Sequence, residues 1–364
     1  GAFEPSEPSL SIAFEVSLIA FVALLYQENN FTSGGVKLNY ILLEYLKKND
    51  YFNFDVYAKE YDNDVKLPEE IFDCKNFDKN VAKSYQYVLS EKGICPSDVT
   101  YLHDHSNKFR YKFLYKKWYF FFYKLFSRKK YLKRKAVDEK IKQNLQNTKK
   151  IIVSSKVLKN DCIRNYDIDT KKIYILPPPV AYQLENQSVK NEKFVFGFSA
   201  TGFERKGGYA VLKAVKKLKK QKNFDFKVKI ILKKKNLFIK FLTYFYGIAN
   251  YIEFVPIQKN MCEFYNSIDC LLMPSLLEPF GMVATEVMMN SKPVIVSKIS
   301  GVSDVVIDGF NGLVTNNYNL DEKMKQMIEM SNKNYQKMCK NAYNSVADLT
   351  SENFAKKYLK ILAQ

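Results

Sequence analysis

Met273-Pro274-Ser275-Leu276-Leu277-Glu278-Pro279-Phe280-Gly281-Met282-Val283-Ala284-Thr285-Glu286 decides how this chain is read. The apolar run Cys270–Met273 reads as a buried strand, and Pro274-Ser275 ends it. A loop follows, and then a helix whose first turn is expected over Phe280–Val283, its N–H groups aimed at an anion. Glu278 and Glu286 stand eight positions apart across that junction. On a continuous helix their backbones would be separated by about 12 Å. Retaining glycosidases place their carboxyls about 5 Å apart and inverting ones about 6.5–9.5 Å. The spacing therefore suits two carboxylates that grip two ends of one ligand.

Outward from that element, short apolar runs alternate with helix-period segments, the pattern of a parallel sheet covered on both faces. Strands are expected at Ile19–Leu25, Phe54–Tyr57, Val99–Leu102, Ile151–Ser154 and Lys172–Leu176, with a helix over Val36–Lys48. Leu176-Pro177-Pro178-Pro179 can continue neither a helix nor a central strand and reads as a linker. The alternation restarts with strands at Phe194–Phe198, Val228–Leu232, Ile252–Val255 and Pro293–Ser297. Helices are expected over Tyr209–Lys220, Cys262–Ser267 and through Thr285–Met289. The α/β expectation is two facing Rossmann-like, doubly wound domains, with ligands in a deep inter-domain cleft at the strands' carboxyl ends. Residues 1–18 read as a leader or cloning-derived segment, 19–180 as the first Rossmann-like domain and 181–343 as the second. Residues 344–364 read as a helix returning to the first domain.

A second element, Gly197-Phe198-Ser199-Ala200-Thr201-Gly202-Phe203-Glu204-Arg205-Lys206-Gly207-Gly208, also leads from a strand into a helix. This is the topology of a phosphate cradle, and adjacent Arg205 and Lys206 supply a planar fork and a point charge. Before residue 197 the only glycines after Gly1 are Gly34, Gly35 and Gly93. Gly34-Gly35, between the first strand and its helix, lets backbone amides approach a ligand closely. A plain turn is the alternative reading of that pair.

These elements resemble the family 4 retaining glycosyltransferases of GT-B fold. The resemblance rests on Glu278 to Glu286 within PSLLEPFGMVATE, on YNSIDCLLMPS before it and KPVIVSKISGVSDVVIDGFNGLV after it, and on the Gly34-Gly35 loop. GFERKGG and YILPPPV are most similar to the lipopolysaccharide-core α-glucosyltransferases. The resemblance implies a nucleotide-sugar donor, a UDP-hexose favoured, held by the second domain. It assigns Glu286 to the ribose hydroxyls and Glu278 to a hydroxyl of the transferred sugar. Arg205 and Lys206 take the diphosphate with the amides of Met282 and Val283, and Gly34, Gly35, Phe280 and Gly281 line the donor. Where many relatives carry Gly-Arg after the strand, Phe198 follows Gly197 here, so Arg205-Lys206 would do that work.

The only two histidines, His103 and His105, lie just past the carboxyl end of Val99–Leu102. The resemblance places His103 against the donor sugar, with His105 the lesser candidate and two surface histidines the plain alternative. No side-chain nucleophile is evident. That fits a front-face retaining mechanism, forming an α-linkage, in which the leaving phosphate takes the acceptor's proton. Two histidines and no C-x-x-C pair argue against a zinc site. Asp62-Asn63-Asp64 and Asp167-Ile168-Asp169 follow no apolar run, so neither reads as a metal-binding D-x-D. No metal or other cofactor is expected.

Apolar residues at 47% and charged residues at 26% exclude disorder and collagen, and six scattered cysteines in a long chain read as packed thiols rather than a disulfide scaffold. Lys and Arg total 57 against 38 Asp and Glu, so an anionic partner is expected. Lys108–Lys135 holds twelve Lys or Arg, twelve aromatics and no acid. Interleaved rings and cations suit an anionic headgroup layer, with contact expected from Trp118, Phe121, Lys129, Lys130, Lys133, Arg134 and Lys135. Single-stranded nucleic acid uses the same ingredients, so a non-enzymatic nucleic-acid-binding protein is the alternative. Leu10–Tyr26, interrupted by Glu15, is too short for a membrane span. The expectation is a cytoplasmic enzyme, peripheral on the inner face of the membrane, acting on a lipopolysaccharide-core, glycolipid or other surface-glycan acceptor without an obligate protein partner. A second lysine-rich region, Lys213–Lys240, receives no function from the sequence.

Overall fold

The structure is a computed structural model. It describes residues 20–25, 53–58, 71–73, 87–91, 93, 96–114, 127–180, 191–200, 202–221, 224–232, 237–257, 261–316 and 318–364, together with Ile41, Leu42, Tyr45 and Lys48. Of the helix expected over Val36–Lys48 only those last four positions are described, and all four are helical. Gly34, Gly35, Trp118 and Phe121 lie outside the described residues.

The first domain holds β1 (Ala20–Leu25), β2 (Asn53–Ala58), β3 (Ile71–Asp73), β4 (Tyr87–Glu91), β5 (Val99–Leu102), β6 (Lys150–Val153) and β7 (Ile173–Ile175). They form a parallel seven-stranded sheet in the order β3-β2-β1-β4-β5-β6-β7. Helices α1 (Asn107–Leu114), α2 (Arg128–Asn147) and α3 (Lys156–Asp161) belong to the same half. Side-chain alternation along β6 explains its unbroken apolar run. Ile152 packs on one face with Leu89, Val99 and Tyr101, while Ile151 and Val153 pack on the other with Leu102, Leu145 and Leu158.

The second domain holds β8 (Phe194–Ser199), α4 (Gly208–Lys220), β9 (Phe226–Leu232), α5 (Leu237–Phe245), β10 (Ile252–Pro256), α6 (Met261–Asn266), β11 (Cys270–Met273), α7 (Met282–Met289), β12 (Val294–Ser297), β13 (Leu313–Thr315), α8 (Leu320–Ile328) and α9 (Asn332–Asn344). Its six strands are parallel in the order β10-β9-β8-β11-β12-β13. Both sheets reverse direction of winding next to their first strand, and such switch points open the crevice in which α/β folds bind ligands. In the second domain the crevice lies beyond β8 and β11.

The last helix, α10 (Ser351–Ala363), packs Phe354, Ala355, Tyr358 and Leu362 against the first domain's core. The rings of Tyr101 and Phe354 meet edge to face at 5.9 Å. Lys150 Nζ donates to the carbonyls of Ile361 and Leu362 at 2.8 and 2.7 Å, a cation at the helix's negative end. The chain thus crosses between the halves twice, and the crossings are tied where Val180 N–H donates to Leu349 O at 2.8 Å.

Three strands escape the expectations from sequence. β3 and β13 are three residues long, and β4 carries buried Ser90, whose hydroxyl lies 2.9 Å from Thr100 Oγ1 and 2.8 Å from Ser97 Oγ. A hydrogen-bonded core serine looks like a surface residue in the sequence.

Candidate active site

The two loops at the second domain's switch point are knitted together by backbone. Leu276 N–H donates to Arg205 O at 2.9 Å. Gly207, at φ +82°, comes so close to the loop after β11 that a Cβ there would stand 2.0 Å from Pro274 O. That glycine is required both by its left-handed backbone and by the approach. The result brings the sequence-predicted Arg205, Lys206 and Glu278 into one cluster.

Glu278 Oε2 accepts from Lys206 Nζ and, at 3.2 Å, from Arg205 Nη1, with Ser275 Oγ at 3.5 Å. Arg205 Nη1 also donates to Leu277 O at 2.9 Å. Lys206 and Glu278 are buried, whereas the Arg205 side chain is about a third exposed. Burial works to raise the Glu278 carboxyl, but Lys206 and then Arg205 outweigh it and hold the group below the usual carboxylate range. The cluster is an ionised carboxylate clamped by two cations, one of which keeps an open side.

Beyond the cluster the chain turns at Gly281, φ +106°, which caps α7. The expected first turn, Phe280–Val283, is corrected here: the helix starts at Met282, because the left-handed residue at position 281 cannot be its first turn. Phe280 is instead buried core. Met282 and Val283 open the helix. Glu286 lies on the same helix and is buried, and its Oε2 accepts a hydrogen bond from the hydroxyl of Tyr265 on α6. Tyr265 is a site residue the sequence reading missed, although it stands inside the quoted flank YNSIDCLLMPS. Phe198 is fully buried in the core.

The first domain reaches this loop through the residues after β6. Ser155 Oγ donates to Pro279 O at 2.7 Å while capping α3, and Lys156 N–H donates to Asp304 Oδ2 at 2.6 Å. Leu102 of β5 pairs in register with Val153 of β6, so His103 and Ser154 leave the sheet side by side at the edge facing that loop. The two histidines part company here. His105 is buried, stacked on Phe109 at 4.3 Å, with Nδ1 3.1 Å from Asp161 Oδ2. Asp161 also accepts from Ser106 N–H and Oγ at 2.8 and 2.7 Å. Burial pushes the Asp161 carboxyl up, yet hydrogen bonds from His105, Asn165 and Ser106 bring it below the ordinary range. His105 therefore pins the turn, and half-buried His103 is the one presented at the sheet edge.

Of the D-x-D sequences, Asp167 is left-handed at φ 59° and Asp169 caps the next turn through Lys171 N–H at 2.9 Å. Among the described residues no group of three or more His, Cys, Asp or Glu side chains is gathered for a metal ion. Of the expected membrane contacts, Lys129, Lys130, Lys133, Arg134 and Lys135 are all exposed on α2. Among the described residues no helix is long and apolar enough to cross a membrane.

Two facing parallel-sheet Rossmann-like domains with this crevice define the GT-B glycosyltransferase fold. Residues 183–345, almost the whole second domain, match the family Glycosyl transferases group 1. An uncharacterized glycosyltransferase of Methanocaldococcus jannaschii is 30% identical over 193 residues, covering 51% of this chain and 50% of the relative. A D-inositol 3-phosphate glycosyltransferase of Streptomyces bingchenggensis is 30% identical over 87 residues, 23% of this chain and 19% of its own. The chain thus spans half or less of the length of these curated relatives. Among solved structures, WaaG, a glycosyltransferase involved in lipopolysaccharide biosynthesis, superposes with TM-score 0.72 at 17% identity, over 94% of this chain and 99% of that one. Anabaena HepE in complex with UDP and glucose gives TM-score 0.69 at 15% identity over 95% and 99%.

Proposed function

We propose that the protein is a retaining glycosyltransferase that moves a hexose from a nucleotide sugar, UDP-hexose favoured, onto an anionic glycolipid or surface glycan such as a lipopolysaccharide core. The observation that carries this reading is the Arg205–Lys206–Glu278 cluster at the switch point, beside the start of α7. Its support is the group 1 match of the second domain and the UDP complex of a structural neighbour.

In this reading Glu286 accepts from the ribose hydroxyls, with Tyr265 fixing its second oxygen. Arg205, Lys206 and the amides of Met282 and Val283 face the diphosphate, where negative charge grows as the glycosidic bond breaks. Cations held ready there stabilise the transition state more than the ground state. Glu278 holds both cations in place and accepts from a hydroxyl of the transferred sugar, against which His103 closes from the first domain. The acceptor hydroxyl bonds to the sugar's anomeric carbon on the face from which the phosphate departs, and the leaving phosphate takes its proton, so this reading needs no side-chain nucleophile or general base. The exposed lysines of α2 hold the enzyme peripherally on the cytoplasmic face of an anionic membrane. No observation favours nucleic acid as the partner of that stretch.

Incubation with a panel of nucleotide hexoses and a glycolipid acceptor tests the reading. It expects one donor to be consumed, an α-configured product by proton NMR, and full activity in EDTA. A β-linked product, or turnover of no donor, contradicts it.

A further inference from the structure

The lysine-rich region Lys213–Lys240, which the sequence left without a function, runs into the first turn of α5, and this helix turns its apolar side outward. Ile239 and Thr243 face the core, yet Leu237, Phe238, Phe241, Tyr244 and Phe245 are 78, 58, 58, 78 and 70% exposed. Positions 237, 238, 241, 244 and 245 follow the helical repeat, so these side chains form one outward stripe. Single exposed apolar residues are ordinary, but five in adjoining turns mark a surface that something covers. The rings of Phe241 and Phe245 stack at 6.1 Å and 20°, which gives the stripe a continuous aromatic ridge.

Cations border the ridge. Lys240 is exposed on the helix itself, its ammonium 5.9 Å from the ring of Phe254. From α4, Lys216 Nζ stands 4.6 Å from the centroid of the Tyr246 ring, and Lys219 Nζ donates to Gly247 O at the end of α5. Between Lys213 and Lys240 the sequence holds twelve lysines and a single acid, Asp225, which pairs with Lys193.

We propose that α5 is a second membrane-contact element, on the donor-binding domain, that lays its aromatic ridge into the headgroup region of an anionic lipid surface while the surrounding lysines meet the phosphates. The charge pattern selects this occupant. A second copy of the chain docking on the same patch about a twofold axis would bring the lysines face to face. An anionic leaflet complements them, and aromatic rings flanked by lysines suit the interface between headgroup and acyl chain. The ridge projects from the surface, as its exposures show, so it is shaped for insertion rather than for receiving a peptide in a groove. The contact is separate from that of α2 and does not depend on the identity of the donor.

A reporter variant separates the two contacts. With Trp118→Phe and Phe241→Trp, the only tryptophan sits on the ridge. On vesicles of phosphatidylglycerol with brominated acyl chains its emission should shift to the blue and be quenched, and on purely phosphatidylcholine vesicles it should do neither. Sedimentation with anionic vesicles without quenching would overturn the proposal, since attachment would then lie elsewhere, and so would a failure to bind them at all. Joint replacement Phe238→Ser, Phe241→Ser, Tyr244→Ser and Phe245→Ser should cut anionic-vesicle partitioning at least tenfold while circular-dichroism melting stays cooperative. Unchanged partitioning overturns the proposal. So does a concentration-dependent dimer, seen by sedimentation velocity, that the serine variant abolishes, because the ridge would then be an interface between copies.

Discussion

Two groups of basic side chains in this chain have opposite fates. On α2, Lys129, Lys130, Lys133, Arg134 and Lys135 stand in solvent. At the switch point, Lys206 is buried against Glu278 and Arg205 is only partly exposed. The first group is flexible charge, screened over about 10 Å at 0.1 M salt. The second is charge already desolvated and oriented, and a developing negative charge meets it without reorganisation. Counting lysines cannot tell these apart; what each ammonium is packed against does.

The difference gives a graded series of tests on donor turnover. Removing both site cations, Arg205→Ala with Lys206→Ala, should lower kcat by about 10³-fold, near the upper range for losing one preorganised charge-stabilising donor. Steady-state kinetics would show kcat falling more than KM rises, and a pure KM effect would make the pair ground-state binders.

Glu278→Gln should remove the clamp. The Glu278 carboxyl is held below its ordinary value, so its stabilising effect is complete at neutral pH and fades as pH falls through the lowered native value. Stranding Lys206 should cost about 2 kcal/mol at pH 7, less than a fully buried pair because Arg205 is partly solvated. Thermal melts should show the gap between wild type and variant closing below about pH 4. A gap independent of pH would mean that the pair does not carry the stability. Tyr265→Phe removes one hydrogen bond to Glu286 and should raise the KM for the nucleotide sugar only about threefold, the value of one lost hydrogen bond.

The smallest effect belongs to α2. Serine at Lys129, Lys130, Lys133, Arg134 and Lys135 should weaken sedimentation with anionic vesicles, the contact through α5 remaining, and leave donor hydrolysis unchanged. A parallel loss of hydrolysis would erase the distinction between the two groups of cations.

Much of this arrangement is legible in the sequence because parallel strands buried on both faces write themselves as apolar runs, as Cys270–Met273 does. The eight-residue spacing of Glu278 and Glu286 is legible because loop and helix are local. Other features depend on contacts remote in sequence. Tyr265 stands 21 positions from Glu286, and no periodicity links them. Ser90 and Thr100 read as surface residues until their hydroxyls are seen to satisfy one another in the core. The late start of α7 rests on the backbone angle of Gly281, which glycine permits but does not announce. The outward stripe of α5 has the period of a core helix, and only its exposure shows which way it faces.

Calorimetric titration of UDP into the wild-type protein and into Glu286→Gln tests the central claim, that the second domain's crevice grips a nucleotide through this carboxylate, most directly. The account predicts saturable binding to the wild type and a Kd about tenfold higher in the variant, the effect of about 1.4 kcal/mol. Equal affinity in the two proteins, or no heat of binding in either, would contradict it.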